Sequence, residues 1–263
     1  MQPGVTQIIL PALSLADFFS QSAAAGYEVV ELTMRGAGDL TPQTSRNELM
    51  RIPEQAAEAG LRVVSMCHSH CTGNLLDTGD AQETSIDETC AGLEAAAHMG
   101  LDCTLHTLGS IGPDLYYDDA YRNGVSALKR IAITAERVRV SIAIEFVWNG
   151  FLFSPLEFRR FLDDVGSDRI GFYFDPGNMA VFQYPHHWVR ILGPHLKMVH
   201  LKDWQGGALN GGWPPLLEGA VDYAAMNREL RAIGYDGPMI SEVPPSVAPL
   251  AKTAQAIHKI IAM

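Results

Sequence analysis

One phrase recurs along this chain, and it limits the fold more than any other feature. AAAGYEVVEL (23–32), AEAGLRVVSM (57–66), AHMGLDCTLH (97–106) and RAIGYDGPMISE (231–242) share one order. A tail of small residues leads to Gly, then Leu or Tyr, then a polar residue, then a β-like run. Gly26, Gly60, Gly100 and Gly234 stand where a helix would stop, because Gly enters the left-handed conformation without steric cost. The large apolar residue after each can pack back on the last helical turn. Helix starts are written as Ser45-x-x-Glu48, Ser85-x-x-Glu88 and Ser154-x-x-Glu157, with Pro155 at a first helical position.

Apolar runs predict strands at about 7–10, 29–32, 63–67, 103–107, 141–147, 170–175, 198–202 and 239–243. Helical patterns lie between them at about 14–25, 45–59, 85–99, 115–138, 155–165, 186–193, 221–233 and 247–261. Eight alternations in 263 residues fit a closed (β/α)8 barrel in a single domain spanning 1–263. A doubly wound open sheet is the other candidate, but it would carry a glycine-rich phosphate loop after its first strand, and IILPALSL has none.

Composition removes several classes. No window approaches the ~18 apolar residues of a membrane span. MQPGVTQIILPALS has no basic leader, and its apolar run is broken by Pro11, so it does not read as a secretion signal. Four cysteines without disulfide-type spacing fit reduced thiols in a cytoplasm. A net charge of −11 with no Lys/Arg block argues against nucleic acid as a partner.

In such a barrel the chemistry sits where the strands end. The fifth strand ends SIAIEFVWN with Glu145, the sixth GFYFDPGN with Asp175, the seventh KMVHLKD with His200, and the eighth PMISEVPP with Glu242. Each residue alone has an ordinary explanation, such as a turn cap or a surface ion pair. Together, four strands delivering three carboxylates and an imidazole at one level match the mixed O/N donors of a divalent metal. Without a cation, such a group would crowd negative charge in a dry place.

These residues resemble the sugar phosphate isomerase/epimerase family, the xylose isomerase-like barrels, along essentially the whole chain. The most specific stretches are EFVWNGFLFSPLEFRRFLDDVGSDRIGFYFDPGN, VHLKD and MNRELRAIGYDGPMISEV. They are most similar to the hexulose-6-phosphate isomerase-like and pentulose-phosphate 3-epimerase-like branches. The resemblance implies one divalent ion (Mn, Mg, Co or Zn) held by Glu145, Asp175, His200 and Glu242. It also implies a small-molecule sugar or sugar phosphate as substrate, and relatives of this kind are often homo-oligomers. Ketose 3-epimerases of the family carry His three residues after the Asp, Arg six after the His, and Glu six after the first Glu. This chain has Asn178, Gly206 and Phe151 there.

Metal-assisted enediolate chemistry needs a carboxylate to remove and return a proton, and Glu145 and Glu242 are the natural pair. Epimerisation and aldose–ketose isomerisation both follow from such a pair. Lys202 could neutralise a developing oxyanion or be a solvated loop residue, and Asp203 could orient it. Glu31 could meet a sugar hydroxyl or pair with Arg35. Asn149, Asn178 and the aromatic residues Trp148, Trp204 and Trp213 stand on neighbouring loops.

The stretch SMCHSHCTG (65–73) offers Cys67, His68, His70 and Cys71, all zinc-binding types. Neighbours in an extended chain point to opposite faces, and no second pair exists, so a separate zinc site is not expected. Strand alternation aims at most one of Cys67 and His68 inward. The expectation is that His68, with His106 at the end of the fourth strand, lines the pocket.

Two rival functions share these features. One is a lyase of the same superfamily, an inosose dehydratase-like enzyme or a C-glycoside deglycosidase-like subunit, using the same enolate and an acid for the leaving group. The other is an endonuclease IV-like repair barrel, which needs basic DNA-facing loops that a −11 chain lacks.

Overall fold

The computed structural model describes residues 1–263. The chain runs through β1 (Gln2–Thr6), β2 (Val29–Thr33), β3 (Arg62–Cys67), β4 (Cys103–His106), β5 (Ser141–Glu145), β6 (Ile170–Phe174) and β7 (Leu196–Leu201). A small antiparallel hairpin follows, β8 (Gln205–Gly207) with β9 (Asn210–Gly212), and then β10 (Pro238–Ser241). The barrel strands pair in parallel in the closed order β1-β10-β7-β6-β5-β4-β3-β2. This is the predicted (β/α)8 barrel, with β10 as its eighth stave.

The helices are α1 (Leu15–Ala25), α2 (Arg46–Glu58), α3 (Gly79–His98), α4 (Tyr117–Val138), α5 (Pro155–Val165), α6 (Pro176–Ala180), α7 (Pro185–Leu192), α8 (Tyr223–Ala232) and α9 (Leu250–Ala262). Strand residues of one parity fill the barrel: Val29, Cys67, Leu105, Ala143, Tyr173, Met198 and Ile240 form one buried cluster. The other parity, with Leu32, Met66, Ile142, Phe172 and Val199, joins the helices in a larger layer. Burying each such large side chain contributes about 1.5–3 kcal/mol.

The recurring glycines behave as read. Gly26, Gly60, Gly100 and Gly234 all have positive φ, between 71° and 91°. The Ser45–Glu48 capping box is formed in both directions. The other two boxes are not. Helix α3 begins six residues before Ser85, at Gly79, so Ser85 lies inside it and donates to the Ala81 carbonyl, while Glu88 accepts from the Gly73 N–H. Ser154 does occupy the position before α5, but its side chain makes no cap bond, and Glu157 accepts instead from the Tyr117 hydroxyl.

The first strand was expected at 7–10 and lies at Gln2–Thr6. Gly4 permits this, since a Cβ there would sit 2.8 Å from Val29 Cγ2 of the adjoining strand. The Thr6 hydroxyl then accepts the Ile8 N–H and turns Gln7–Ile9 into a 3-10 helix, so Ile8 and Ile9 leave the sheet at the barrel mouth.

Candidate metal and sugar site

The inward parity of β5, β6, β7 and β10 carries Glu145, Asp175, His200 and Glu242 to one place. Their donor atoms all lie within 4.8 Å of one another, and they form the one convergent group of metal-binding side chains in the chain. His200 Nδ1 stands 3.4 Å from Glu145 Oε1 and 3.3 Å from Glu242 Oε2. Asp175 divides its work: Oδ1 accepts the Gly177 and Asn178 N–H groups that open α6, and Oδ2 faces the cluster. Asn178 is buried and its amide donates to Glu145 Oε1 (3.4 Å) and the Phe146 carbonyl (3.0 Å).

Lys202, two residues beyond His200 on the same face, brings Nζ to 3.0 Å from Asp175 Oδ2 and 2.9 Å from Glu242 Oε2. These are ion pairs without hydrogen-bond alignment. Asp175 Oδ2, Glu242 Oε2 and His200 Nδ1 are buried polar atoms with no hydrogen-bond partner. Three such atoms on three side chains aimed at one point fit a dication, which would take the place of a proton at His200 Nδ1, since buried polar atoms are otherwise nearly always satisfied.

Behind the imidazole lies Glu31, fully buried. Its Oε1 is 2.8 Å from His200 Nε2, and its Oε2 accepts from the Ser65 (2.7 Å) and Tyr173 (2.6 Å) hydroxyls. Nε2 is thereby engaged as the donor, and Nδ1 is the nitrogen left for the cluster. Burial alone would push the Glu31 carboxyl up, but the His200 charge and the three donors outweigh it and hold it below its ordinary value. Glu31 was expected at a sugar hydroxyl or on Arg35. It does neither, because the inward parity of β2 points it beneath His200. Tyr173 and Ser65 were missed by the sequence reading, although Tyr173 shares the inward parity of Asp175.

The charge balance is uneven. Burial lowers the His200 pKa, yet Glu31, Glu145 and Glu242 together raise it well above its ordinary value. Burial, aided by repulsion from Glu242, pushes the Glu145 carboxyl up to about 7 against the pull of His200 and Lys202. Glu242 is held low in spite of burial by the Lys202 charge and by His200.

His68 and His106 are not in the mouth. Cys67 takes the inward position on β3 and Leu105 the inward position on β4, so both histidines point outward to α3. His68 is fully buried, edge-on to His106 at 5.3 Å, and a Cβ at Gly92 of α3 would lie 2.1 Å from its Nδ1. Burial pushes its pKa down to about 4. His106 accepts the Leu108 N–H at Nδ1 and meets Thr72 Oγ1 through Nε2. Burial and the Glu31 charge push the Cys67 thiol up to about 12. Cys67 and His68 are thus parted between two faces.

The loops complete the mouth. Trp148 stacks on Trp213 (centroids 5.1 Å apart, 25° between planes), and Trp204 meets both edge-on. The Trp148 indole N–H donates to the Asn178 carbonyl. Asn149 is committed to the loop after β4, donating to the Thr107 and Gly109 carbonyls, so it is a loop clamp rather than a free substrate contact. Asp203 does not orient Lys202: its two oxygens accept the backbone N–H groups of Trp204, Leu217, Gly219 and Val221 and hold the tryptophan loop. Gly206, where the ketose epimerases have Arg, has φ 121°, and a Cβ there would lie 2.5 Å from the Asn210 carbonyl oxygen. The short hairpin therefore excludes that arginine. Phe151 is a buried core residue.

A family model described as xylose isomerase-like TIM barrel matches residues 19–261. The chain belongs to the xylose isomerase-like TIM barrel family. Among curated relatives of this barrel, an L-ribulose-5-phosphate 3-epimerase of Salmonella heidelberg (strain SL476) is 27% identical over 244 residues, covering 88% of this chain and 83% of that protein. Among solved structures, a D-tagatose 3-epimerase-like protein superposes with a TM-score of 0.84 at 19% identity, covering 100% of this chain and 97% of the other. The IOLI protein, solved with a bound zinc atom, gives 0.80 at 16% identity, covering 100% and 98%. No helix of the barrel is long and apolar enough to cross a membrane.

Proposed function

We propose that this chain is a divalent-metal-dependent epimerase or isomerase of a keto sugar or sugar phosphate. Its place among sugar isomerases and epimerases rests on the relatives. The metal dependence rests on three buried donor atoms of Asp175, His200 and Glu242 that lack hydrogen bonds and converge with Glu145. A dication held there would supply Lewis-acid stabilisation of the enediolate that forms when the sugar C–H proton leaves.

The chain's own residues do the rest. Glu145 and Glu242 reach His200 from strands three places apart in the barrel ring, so each can address a different face of a sugar laid between them. Glu145, raised to about 7 by burial, is the better matched to take up and return a proton near neutrality, and Glu242, held ionised beside Lys202, is the weaker base of the pair. Lys202 Nζ opposes the negative charge that builds on the sugar oxygens. Glu31 holds His200 in one tautomer, and Asn178 steadies Glu145. Elimination would need a further acid at the leaving group. Of the three residues expected to serve, His68 and His106 lie outside the mouth and only Lys202 lies within it, which leaves the lyase reading one candidate acid and favours epimerisation or isomerisation.

The test is a panel of keto sugars and their phosphates with Mn or Mg, followed by NMR in deuterated water. C–H exchange with an epimer or isomer as product is the expected result. Exchange that ends in dehydration, or no exchange across the panel, would reject the proposal.

A further inference from the structure

Past Glu242 and Lys202 the mouth widens into a cleft of about 430 Å³, within the range of small-molecule sites. One wall is Ile8 and Ile9 of the turn after β1, with Pro244 and Val247 following β10. Trp213 and Pro214 also line the cleft. Trp213 is braced from behind by Trp148 and Trp204, and Gly177 lets it approach, since a Cβ there would lie 3.1 Å from its ring. The cleft is therefore a stiff apolar slot.

Its charged lining is Lys202, Glu242 and Asp203. The Lys202 ammonium lies between Asp175 and Glu242, and Asp203 is spent on four backbone N–H groups. A phosphate dianion in the slot would meet two carboxylates, and the one cation of the lining, Lys202, is the group already assigned to the sugar oxygens at the reacting carbons. An aryl or alkyl group would meet isoleucine, valine and proline side chains and the Trp213 indole, whose ring also carries Trp148 and, 5.2 Å from its centroid, the Lys202 ammonium.

We infer that the substrate is a keto sugar whose end remote from the reacting carbons carries a bulky apolar group in place of a phosphate. This rests on the sugar-site reading above, with the reacting carbons at the metal group and the tail over Glu242.

Three ketopentoses that differ only at C5, as the O-benzyl ether, the deoxy compound and the phosphate, all stay open-chain and provide the test. Binding to the Mn-loaded enzyme is measured by calorimetry, and C–H exchange by NMR in deuterated water. The O-benzyl sugar is expected to bind at least about tenfold more tightly than either of the others. Val247→Lys should narrow or reverse its lead over the phosphate, and Ile9→Ala should weaken the benzyl ligand alone. Tightest binding of the phosphate, no benzyl preference, or no binding at all overturns the inference. Benzyl preference without any C–H exchange upholds it while removing the proposed reaction. Brisk exchange of the phosphate with weak benzyl binding does the reverse.

Discussion

Glu31→Gln isolates one interaction within the site. Glutamine has the same shape, and its amide oxygen can still accept from His200 Nε2. Its NH₂ group then faces Ser65 and Tyr173, whose hydroxyls can rotate to accept. The hydrogen bonds survive and the charge is lost. A carboxylate behind a metal-binding imidazole raises its basicity and fixes its orientation, and loss of such partners weakens metal binding by about 10–100-fold. That is about 1.4–2.8 kcal/mol. The assay is calorimetric titration of the metal-free protein with Mn²⁺, alongside the absorption spectrum of the Co²⁺ form and a thermal melt to confirm folding. Tyr173→Phe, which removes one of three donors to Glu31, should weaken binding by a smaller factor. A folded Glu31→Gln protein that binds Mn²⁺ within about twofold of the wild type would refute the reasoning, because the carboxylate would then be a packing element only.

Glu145→Gln and Glu242→Gln should each lower C–H exchange by about 10²–10⁴-fold, read by NMR in deuterated water; full exchange in either would remove that residue from proton transfer. Mn²⁺ affinity should rise with pH from about pH 6 upward, because Glu145, raised to about 7 by burial, and His200, raised well above its ordinary value by three glutamates, must both shed protons to bind the ion; calorimetry showing a flat profile would contradict this. Gly92→Ala should cost roughly 1–3 kcal/mol in urea unfolding, since the new Cβ meets His68, and adding His68→Ala should recover part of the loss. His68→Ala alone should leave kcat/KM of the folded enzyme within about twofold, as the ring faces α3 and not the mouth. Asp203→Ala should destabilise by roughly 2–4 kcal/mol and loosen the tryptophan loop, read as a change in indole fluorescence.

The barrel was readable because its helix ends are local signals. A glycine that must adopt positive φ, or a Ser–Glu box that closes on itself, needs only its neighbours, as at Gly26 and Ser45. The first strand was misplaced because IIL is more apolar than QPGVT, while the sheet takes the segment whose glycine fits against Val29. Ser85 looked like a helix start but acts inside one, where a hydroxyl bonds the preceding turn. The four convergent residues were visible because each ends its strand at one level. Parity decided the rest. Lys202 follows His200 by two, and Tyr173 precedes Asp175 by two, so both lie inward. His68 stands one residue from inward-facing Cys67, and His106 one from Leu105, so both lie outward. Counting back from the strand bulge between Val30 and Glu31 was beyond the sequence, because such shifts depend on how neighbouring strands meet. The tasks of Asp203 and Asn149 were equally hidden, since their partners are backbone groups of loops whose course no local pattern reveals.

Glu31 and Ser65 come from staves two and three, whereas the convergent four come from the last four. A chimera that grafts residues 141–263 onto the front half of another barrel would transplant all four convergent residues and still leave the imidazole without its anchor. Domain-shuffling experiments must therefore treat the quiet front half as a partner that has to be matched to the chemistry at the back.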